Sequence, residues 1–204
     1  MDCQVSIPQI VGPAILLVVS SSIFAADCGQ QSPRFVEEGD KYYEVAESSG
    51  LSDKERKVLN RLAEKIRGDW SGNGSALECS GSQNLRAEQR DIDSELNINL
   101  LSAGELHITE ERLVKPEKML NTDVAKLFSR WSNAQIHEIS DAKLVAIEKY
   151  RRRLGHRGTG LWEIVYDLRV SGGELHYTTT RYINGYLGSR DTRHYRRNPY
   201  KRYR

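Results

Sequence analysis

Five histidines are the side chains in this sequence best suited to hold a transition metal, but their spacing argues against a metal site. His107, His137, His156, His176 and His194 are dispersed, with no i, i+4 pair, no HExxH motif and no cysteine cluster beside them. His107 and His176 follow two similar turns and could meet at one end of a barrel, yet isolated surface histidines explain them equally well. We therefore expect no metal and no other cofactor.

Motifs of the common enzyme classes are missing from the chain. There is no GxSxG nucleophile turn and no phosphate-binding loop, and the glycines of residues 155–160 have the wrong spacing for a dinucleotide fingerprint. Asp91, Asp93 and Glu95 alternate along one stretch, which indicates a solvated strand face rather than a pair of catalytic carboxylates. No catalytic residue is predicted, and a non-enzymatic protein is favoured over an enzyme of unfamiliar type.

The first residues of the chain are typical of a secretory signal. Residues 10–26 carry no charge and are rich in Val, Ile, Leu, Ala and Ser. This run is shorter than the roughly 20 apolar residues that span a bilayer. Small residues at its end predict cleavage after Ala25, with Ala26 as the alternative. We predict that residues 1–25 are a cleavable signal peptide and that the mature protein is periplasmic or secreted.

Two cysteines, Cys28 and Cys79, would remain after cleavage, because Cys3 lies in the signal. In an oxidising compartment two cysteines are more often paired than free. We therefore predict a disulfide between them. Two free thiols, or an intermolecular bridge through Cys28, are the alternatives.

Basic residues are concentrated at the C-terminus of a chain whose net charge is only +2. Five of them are assigned to an anion-binding tail: Arg193, Arg196, Arg197, Lys201 and Arg202. Such a tail suits phosphate or carboxylate groups. Because we expect export, an anionic envelope lipid or an acidic protein is the expected partner, and nucleic acid is not. A solvated chain end is the alternative.

The order of helices and strands predicts how these residues are positioned. Residues 26–50 are predicted to be an irregular lead-in. Ser52 and Glu55 match a capping box that opens a helix over residues 53–67. A second, short helix is predicted over residues 117–131, where apolar residues recur at helical spacing.

The remaining sequence alternates between apolar and polar residues, which is the pattern of antiparallel strands. Eight strands are predicted, near residues 70–79, 85–101, 105–114, 134–140, 143–152, 161–170, 174–183 and 186–195. Eight meandering strands with one apolar face each can close into a barrel, which removes exposed sheet edges. Residues 51–195 are therefore predicted to form one mainly β barrel domain, followed by a basic tail over 196–204.

A glycine-rich stretch between the first helix and the first strand carries a family resemblance. It reads Gly68-Asp69-Trp70-Ser71-Gly72-Asn73-Gly74. The stretch resembles the GxW element of lipocalin-like (calycin) barrels, and its longer form, GxWxGxG, is similar to nitrobindin-type barrels. The resemblance implies that the tryptophan closes one end of the barrel and that the glycines allow the first strand to bend sharply.

Four aromatic residues are the expected lining of such a barrel. Trp70, Trp162, Tyr166 and Tyr177 lie on apolar faces of predicted strands. Core packing is the alternative role, because an eight-stranded barrel can either fill itself or hold one small molecule. We expect an exported barrel that binds a small apolar or amphiphilic ligand. The alternative is a cell-envelope interaction protein whose basic tail docks on an anionic surface or partner.

Overall fold

The structure is a computed structural model that describes residues 28–45, 50–80, 86–100, 104–115, 118–129, 132–154 and 158–197. The predicted signal peptide, residues 1–25, lies outside the described residues, as do residues 198–204 of the predicted basic tail.

Two short helical elements occupy the segment for which the sequence predicts an irregular lead-in. Helix α1 spans Pro33–Glu38, and a 3-10 helix over Gly39–Tyr43 follows it directly. Pro33 is the first residue of α1, where the fixed φ of proline suits the start of a helix. Gly39 ends α1 with a φ of +57°. Tyr42 is fully buried, so this segment packs against the sheet.

Helix α2 spans Asp53–Ile66 and confirms the helix predicted over residues 53–67. Both arms of the capping box are present, because Ser52 accepts from the Glu55 backbone and the Glu55 carboxylate accepts from the Ser52 backbone. Its fully buried stripe consists of Leu59, Leu62 and Ile66. In the described part of the chain, no helix is long and apolar enough to cross a membrane.

Within the described ranges, nine antiparallel strands form one sheet in the order β4-β3-β2-β1-β9-β8-β7-β6-β5. They are β1 Gly68–Ser80, β2 Arg86–Leu100, β3 Leu106–Lys115, β4 Lys118–Leu127, β5 Gln135–Ile139, β6 Lys143–Arg153, β7 Thr159–Ser171, β8 Glu174–Ile183 and β9 Tyr186–Arg197. The eight predicted strands correspond to all of these except β4. The tight turn predicted between β8 and β9 is present, with positive φ at both Asn184 and Gly185.

The helix predicted over residues 117–131 is wrong, because most of this segment forms β4. Strand β4 pairs antiparallel with β3, with Leu127 opposite Leu106 and Ala125 opposite Ile108. Ala125 and Leu127 are buried while Lys126 between them is exposed, which is the two-residue period of a strand. Apolar residues three and four apart over so short a run do not separate a helix from a strand, and hydrogen bonding to the free edge of β3 decides between them.

The sheet curls so that both of its ends contribute to one apolar core. Leu106 and Leu127, from β3 and β4, belong to the same buried cluster as Leu144 and Leu168, from β6 and β7. Ile136 of the edge strand β5 packs against that cluster. Among the described residues β4 and β5 are not hydrogen-bonded to each other, so the strands form a curled half-barrel. Closure into a full barrel stays a prediction.

The predicted disulfide between Cys28 and Cys79 is confirmed and holds the N-terminal segment on the outer face of the sheet. Residues 28–43, here called the N-terminal strap, continue from it along β9. The Leu187 amide donates to the Gln30 carbonyl at 2.8 Å, and the Ser32 amide donates to the Gly185 carbonyl at 2.8 Å. The strap thus adds a second buried cluster to the fold, opposite the main core.

Candidate functional site

The inner face of the half-barrel is apolar at one end and polar toward the other. Trp70 on β1 marks the apolar end, where α2 packs. Along β8, away from that end, the inward positions are Leu175, Tyr177, Thr179 and Arg181, so the lining becomes more polar in steps. A molecule lying along this face would therefore contact apolar groups at one end and hydrogen-bonding groups at the other.

Trp70 closes the apolar end together with an arginine from the last strand. Its indole N–H donates to the Ile66 carbonyl at 2.7 Å. The Arg197 guanidinium lies 4.8 Å from the Trp70 ring centroid and donates to the carbonyls of Lys65 and Arg67 at the end of α2. Trp70 thus lies at one end of the curled half-barrel, which is the position that the sequence resemblance implies for it.

A buried ion pair joins β9 to β3 across the inner face. Arg193 and Glu110 are both fully buried. The Arg193 guanidinium donates to both carboxylate oxygens, from Nε to Oε1 at 2.5 Å and from Nη2 to Oε2 at 3.0 Å. Nη2 also donates to Asp191 at 3.1 Å, and the Tyr195 hydroxyl donates to Glu110 at 3.4 Å. Burial acts to lower the pKa of Arg193, but these anionic neighbours outweigh it and raise that pKa.

Gly72 and Gly74 make room for this ion pair where β1 passes β9. A Cβ atom at Gly74 would lie 3.0 Å from Cγ of Arg193 and 2.1 Å from the Thr192 carbonyl oxygen. A Cβ atom at Gly72 would lie 2.0 Å from the His194 carbonyl oxygen. Because no side chain fits at such distances, the glycines of the GxWxGxG element allow β9 to cross β1 closely and carry Arg193 inward.

Tyr166 and Tyr177, two of the four predicted lining residues, are buried on the inner face. The Tyr166 hydroxyl donates to Oε2 of Glu148 at 3.2 Å. Burial raises the pKa of both phenols, that of Tyr177 to about 12. Both groups are therefore neutral donors at physiological pH.

Trp162, the fourth predicted lining residue, lies at the polar end and is surrounded by cations. Its ring stacks on Tyr150 with centroids 6.2 Å apart. The guanidinium groups of Arg152 and Arg181 each lie 5.4 Å from its centroid. These three neighbours are not among the residues predicted from the sequence. The available signal was that charged residues continue the inward alternation of β6 and β8.

Seven buried side-chain polar atoms among the described residues have no hydrogen-bond partner, and five of them lie on the inner face of β7, β8 and β9. These five are Trp162 Nε1, Tyr177 OH, Thr179 Oγ1, Arg181 Nε and Arg193 Nη1. The other two, Tyr42 OH and Glu163 Oε2, lie beneath the N-terminal strap. A buried polar group left unpaired costs about 1–3 kcal/mol, so such groups normally bond to protein, ordered water or a ligand. All five groups on the inner face can donate a hydrogen bond.

Arg193 does not belong to a solvent-exposed tail, so its assignment to the anion-binding tail is wrong. It lies within β9 and is fully buried against Glu110. The alternation of β9 explains this position, since Arg193 and Tyr195 point inward while His194 between them is exposed. Arg193 is unable to reach an anionic surface without unfolding of β9.

Arg196 and Arg197 also lie in β9 and have partners in the fold. Arg196 pairs with Glu174 at 3.0 Å on the surface, and Arg197 binds the end of α2. Lys201 and Arg202 lie outside the described residues. The hypothesis of a docking tail stays a prediction.

The four histidines in the described part of the chain lie on four different strands, and two of them face each other. Among the residues that the structure describes, no group of three or more His, Cys, Asp or Glu side chains is placed to hold a metal. His107 lies on β3, which three other strands separate from β8 in the sheet, and His137 lies on β5. His176 on β8 instead faces His194 on β9. His156 lies outside the described residues.

Comparisons with known proteins give partial structural likenesses only. No protein-family model and no curated protein matches the chain. A Nostoc punctiforme protein of unknown function from the DUF3598 family is similar at 14% identity and a TM-score of 0.43, over 67% of this chain and 49% of that one. The chain thus spans about half the length of the Nostoc protein. A mutant of the fluorescent protein UnaG is similar at 17% identity and a TM-score of 0.36, over 66% of this chain and 96% of that one.

Proposed function

We propose that this protein is an exported calycin-like half-barrel that binds one small amphiphilic molecule on its inner face. The observation that carries the proposal is the group of five buried donors on β7, β8 and β9 that make no hydrogen bond of normal geometry. A core built only for packing would leave such atoms paired or replace them with apolar groups. The apolar end toward Trp70 would receive the hydrophobic part of the ligand.

The donors indicate the chemistry of the ligand's polar group. The Tyr177 and Thr179 hydroxyls lie close enough to interact with each other, so Trp162, Arg181 and Arg193 are the donors that most need an acceptor. Arg181 makes no ion pair with any of the described residues. An unpaired guanidinium beside an indole ring favours a negatively charged, planar acceptor, for which its fork of N–H groups is suited. We infer a carboxylate-bearing amphiphile, with its carboxylate at Arg181 and Trp162.

Export is the second part of the proposal. The leader-like residues 1–25 and the disulfide between Cys28 and Cys79 support it together, because structural disulfides persist mainly outside the cytoplasm. In such a compartment the protein would capture a small amphiphile.

A fluorescence titration with oleate tests the site directly. Trp162 lies at the proposed head-group position, so oleate should change tryptophan emission saturably, with one molecule bound per chain. Arg181→Gln should weaken oleate binding by tenfold or more, because it removes the cation from the inner face. The matched control is Arg169→Gln on the exposed outer face of β7, where Arg169 pairs with Asp167. A titration without saturation, or equal affinities for the two variants, would show that the proposal is wrong.

The proposal that the ligand carries a carboxylate can be tested separately. Oleyl alcohol has the same chain as oleate but no charge, so it should bind wild-type protein more weakly. The Arg181→Gln variant should bind both molecules alike. A wild-type preference for the alcohol would contradict the carboxylate assignment.

A further inference from the structure

Two histidines face each other on the outer surface of the sheet, away from the proposed ligand site. His176 on β8 is the direct cross-strand partner of His194 on β9. Their ring centroids are 4.6 Å apart and the ring planes are inclined at 88°. His194 is exposed and His176 is half-buried, so solvent reaches the pair.

The separation of the rings matches that of two imidazoles bound to one metal ion. Metal–nitrogen distances of about 2.0–2.1 Å and a bond angle near 90–110° at the metal put two ring centroids roughly 4.5–5.2 Å apart. Directly opposed residues on antiparallel strands also have Cβ atoms only about 4.5–5.5 Å apart. Only side-chain rotation is then needed for one nitrogen of each ring to reach the same ion.

The charges around the pair do not oppose a cation. Arg169, opposite His176 on β7, is held by Asp167 at 2.6 Å. Arg196, two residues after His194, is held by Glu174 at 3.0 Å. Each nearby arginine is therefore neutralised by its own carboxylate.

Further oxygen donors lie next to His194 on the other side. Asn73 on β1 is its cross-strand partner there, and Asp93 on β2 is opposite Asn73. His194 and Asn73 line two adjoining surface depressions, which leave space for an ion with bound water.

We propose that His176 and His194 form a surface site for one divalent transition-metal ion of the Zn²⁺, Cu²⁺ and Ni²⁺ class, which imidazole ligands favour. With two protein ligands, water completes the coordination, so the ion exchanges with solvent. The site lies on the opposite face of the sheet from the proposed ligand site and does not depend on it.

Calorimetric titration of the untagged mature chain with Zn²⁺ tests the proposal. One ion should bind per chain, and His176→Asn and His194→Asn should each weaken binding by tenfold or more. His137→Asn is the matched control, because His137 is an exposed strand histidine on β5 and should leave Zn²⁺ binding unchanged. No binding at millimolar Zn²⁺, or wild-type affinity in either pair variant, would overturn the proposal.

Electron paramagnetic resonance with Cu²⁺ as the probe tests whether both rings bind the same ion. The wild-type spectrum should show two nitrogen ligands, and either pair variant should show one at most. Thermal unfolding without metal should be the same for all variants, since the two side chains are solvent-accessible. A wild-type spectrum with one nitrogen would refute a shared site.

Discussion

The buried ion pair between Arg193 and Glu110 allows a sharp test of the water-excluded inner face. Arg193→Met removes three hydrogen bonds, two to Glu110 and one to Asp191. Glu110 then remains fully buried without its bidentate guanidinium partner, and the Tyr195 hydroxyl is among the donors still in place. Removing one partner of a buried pair costs about 3–5 kcal/mol, and we expect Arg193→Met to lie in that range.

Glu110→Gln should lower the free energy of unfolding by less than Arg193→Met does, although it breaks the same ion pair. The amide oxygen still accepts from Arg193, and Asp191, which is 24% exposed, still compensates the guanidinium charge. We expect a loss of about 2–3 kcal/mol, which corresponds to one charged hydrogen bond.

The double variant Arg193→Met with Glu110→Met separates loss of charge balance from loss of packing. Two unbranched apolar side chains of similar length remove both buried charges at once. Replacing a buried pair by apolar residues is often neutral or stabilising, so the double variant should be more stable than either single variant.

Urea unfolding followed by tryptophan emission measures these free energies of unfolding. The control is Arg196→Met, which removes a surface pair whose side chains are 83% and 46% exposed and should cost under about 1 kcal/mol. If Arg193→Met costs no more than this control, or the double variant is less stable than Arg193→Met alone, Arg193 is not enclosed as described.

Four further predictions concern the strap, the first strand, α2 and the phenols. Replacing Cys28 and Cys79 by Ser, which opens a loop with a sequence separation of 51, should lower the free energy of unfolding by about 4 kcal/mol, measured in urea. Gly72→Ala should lower the free energy of unfolding by at least about 1–3 kcal/mol, because its Cβ would lie 2.0 Å from the His194 carbonyl oxygen. An unchanged free energy of unfolding in urea would contradict the close approach of β1 and β9. Ser52→Ala should lower stability by about 1 kcal/mol in thermal melts, through loss of the N-cap. Burial raises the pKa of the Tyr177 phenol from 10.0 to about 12 in the folded protein, so as the pH rises the unfolded chain loses the phenol proton before the folded chain does. Stability should be full below pH 10 and then fall by up to about 1.4 kcal/mol per pH unit toward pH 12, and Tyr177→Phe should remove this component in alkaline urea titrations.

Elements with local signals were predictable from the sequence. The capping box at Ser52 and Glu55 and the apolar stripe behind it fix α2 within a few residues. Alternation and tight turns likewise fix the hairpins, as at Asn184-Gly185, where the turn residues adopt the positive φ values that such a turn requires. In each case the deciding interaction joins residues that are close in the chain.

The buried ion pair was not predictable, because its partners are far apart and β9 has polar residues on both faces. Successive side chains of a strand point to opposite faces, but polar residues occur on both faces over Arg193, His194, Tyr195 and Arg196. The sequence pattern therefore does not show which of these side chains point into the core. The direction of Arg193 is set by Glu110, 83 residues earlier in the chain. The same reason applies to β4, whose pairing with β3 overrides its helical spacing.

Arg181 on β8 and Arg193 on β9 both face inward but have different roles, and this difference allows the ligand hypothesis to be tested separately from the fold. Arg193 is held by a bidentate carboxylate, so changing it should reduce stability. Arg181 has no ion pair among the described residues and contacts the Trp162 ring, so its loss removes little that stabilises the fold. Arg181→Gln should therefore keep wild-type stability and lose oleate affinity. If it instead unfolds the protein, Arg181 is structural and the polar end of the inner face is not a binding site.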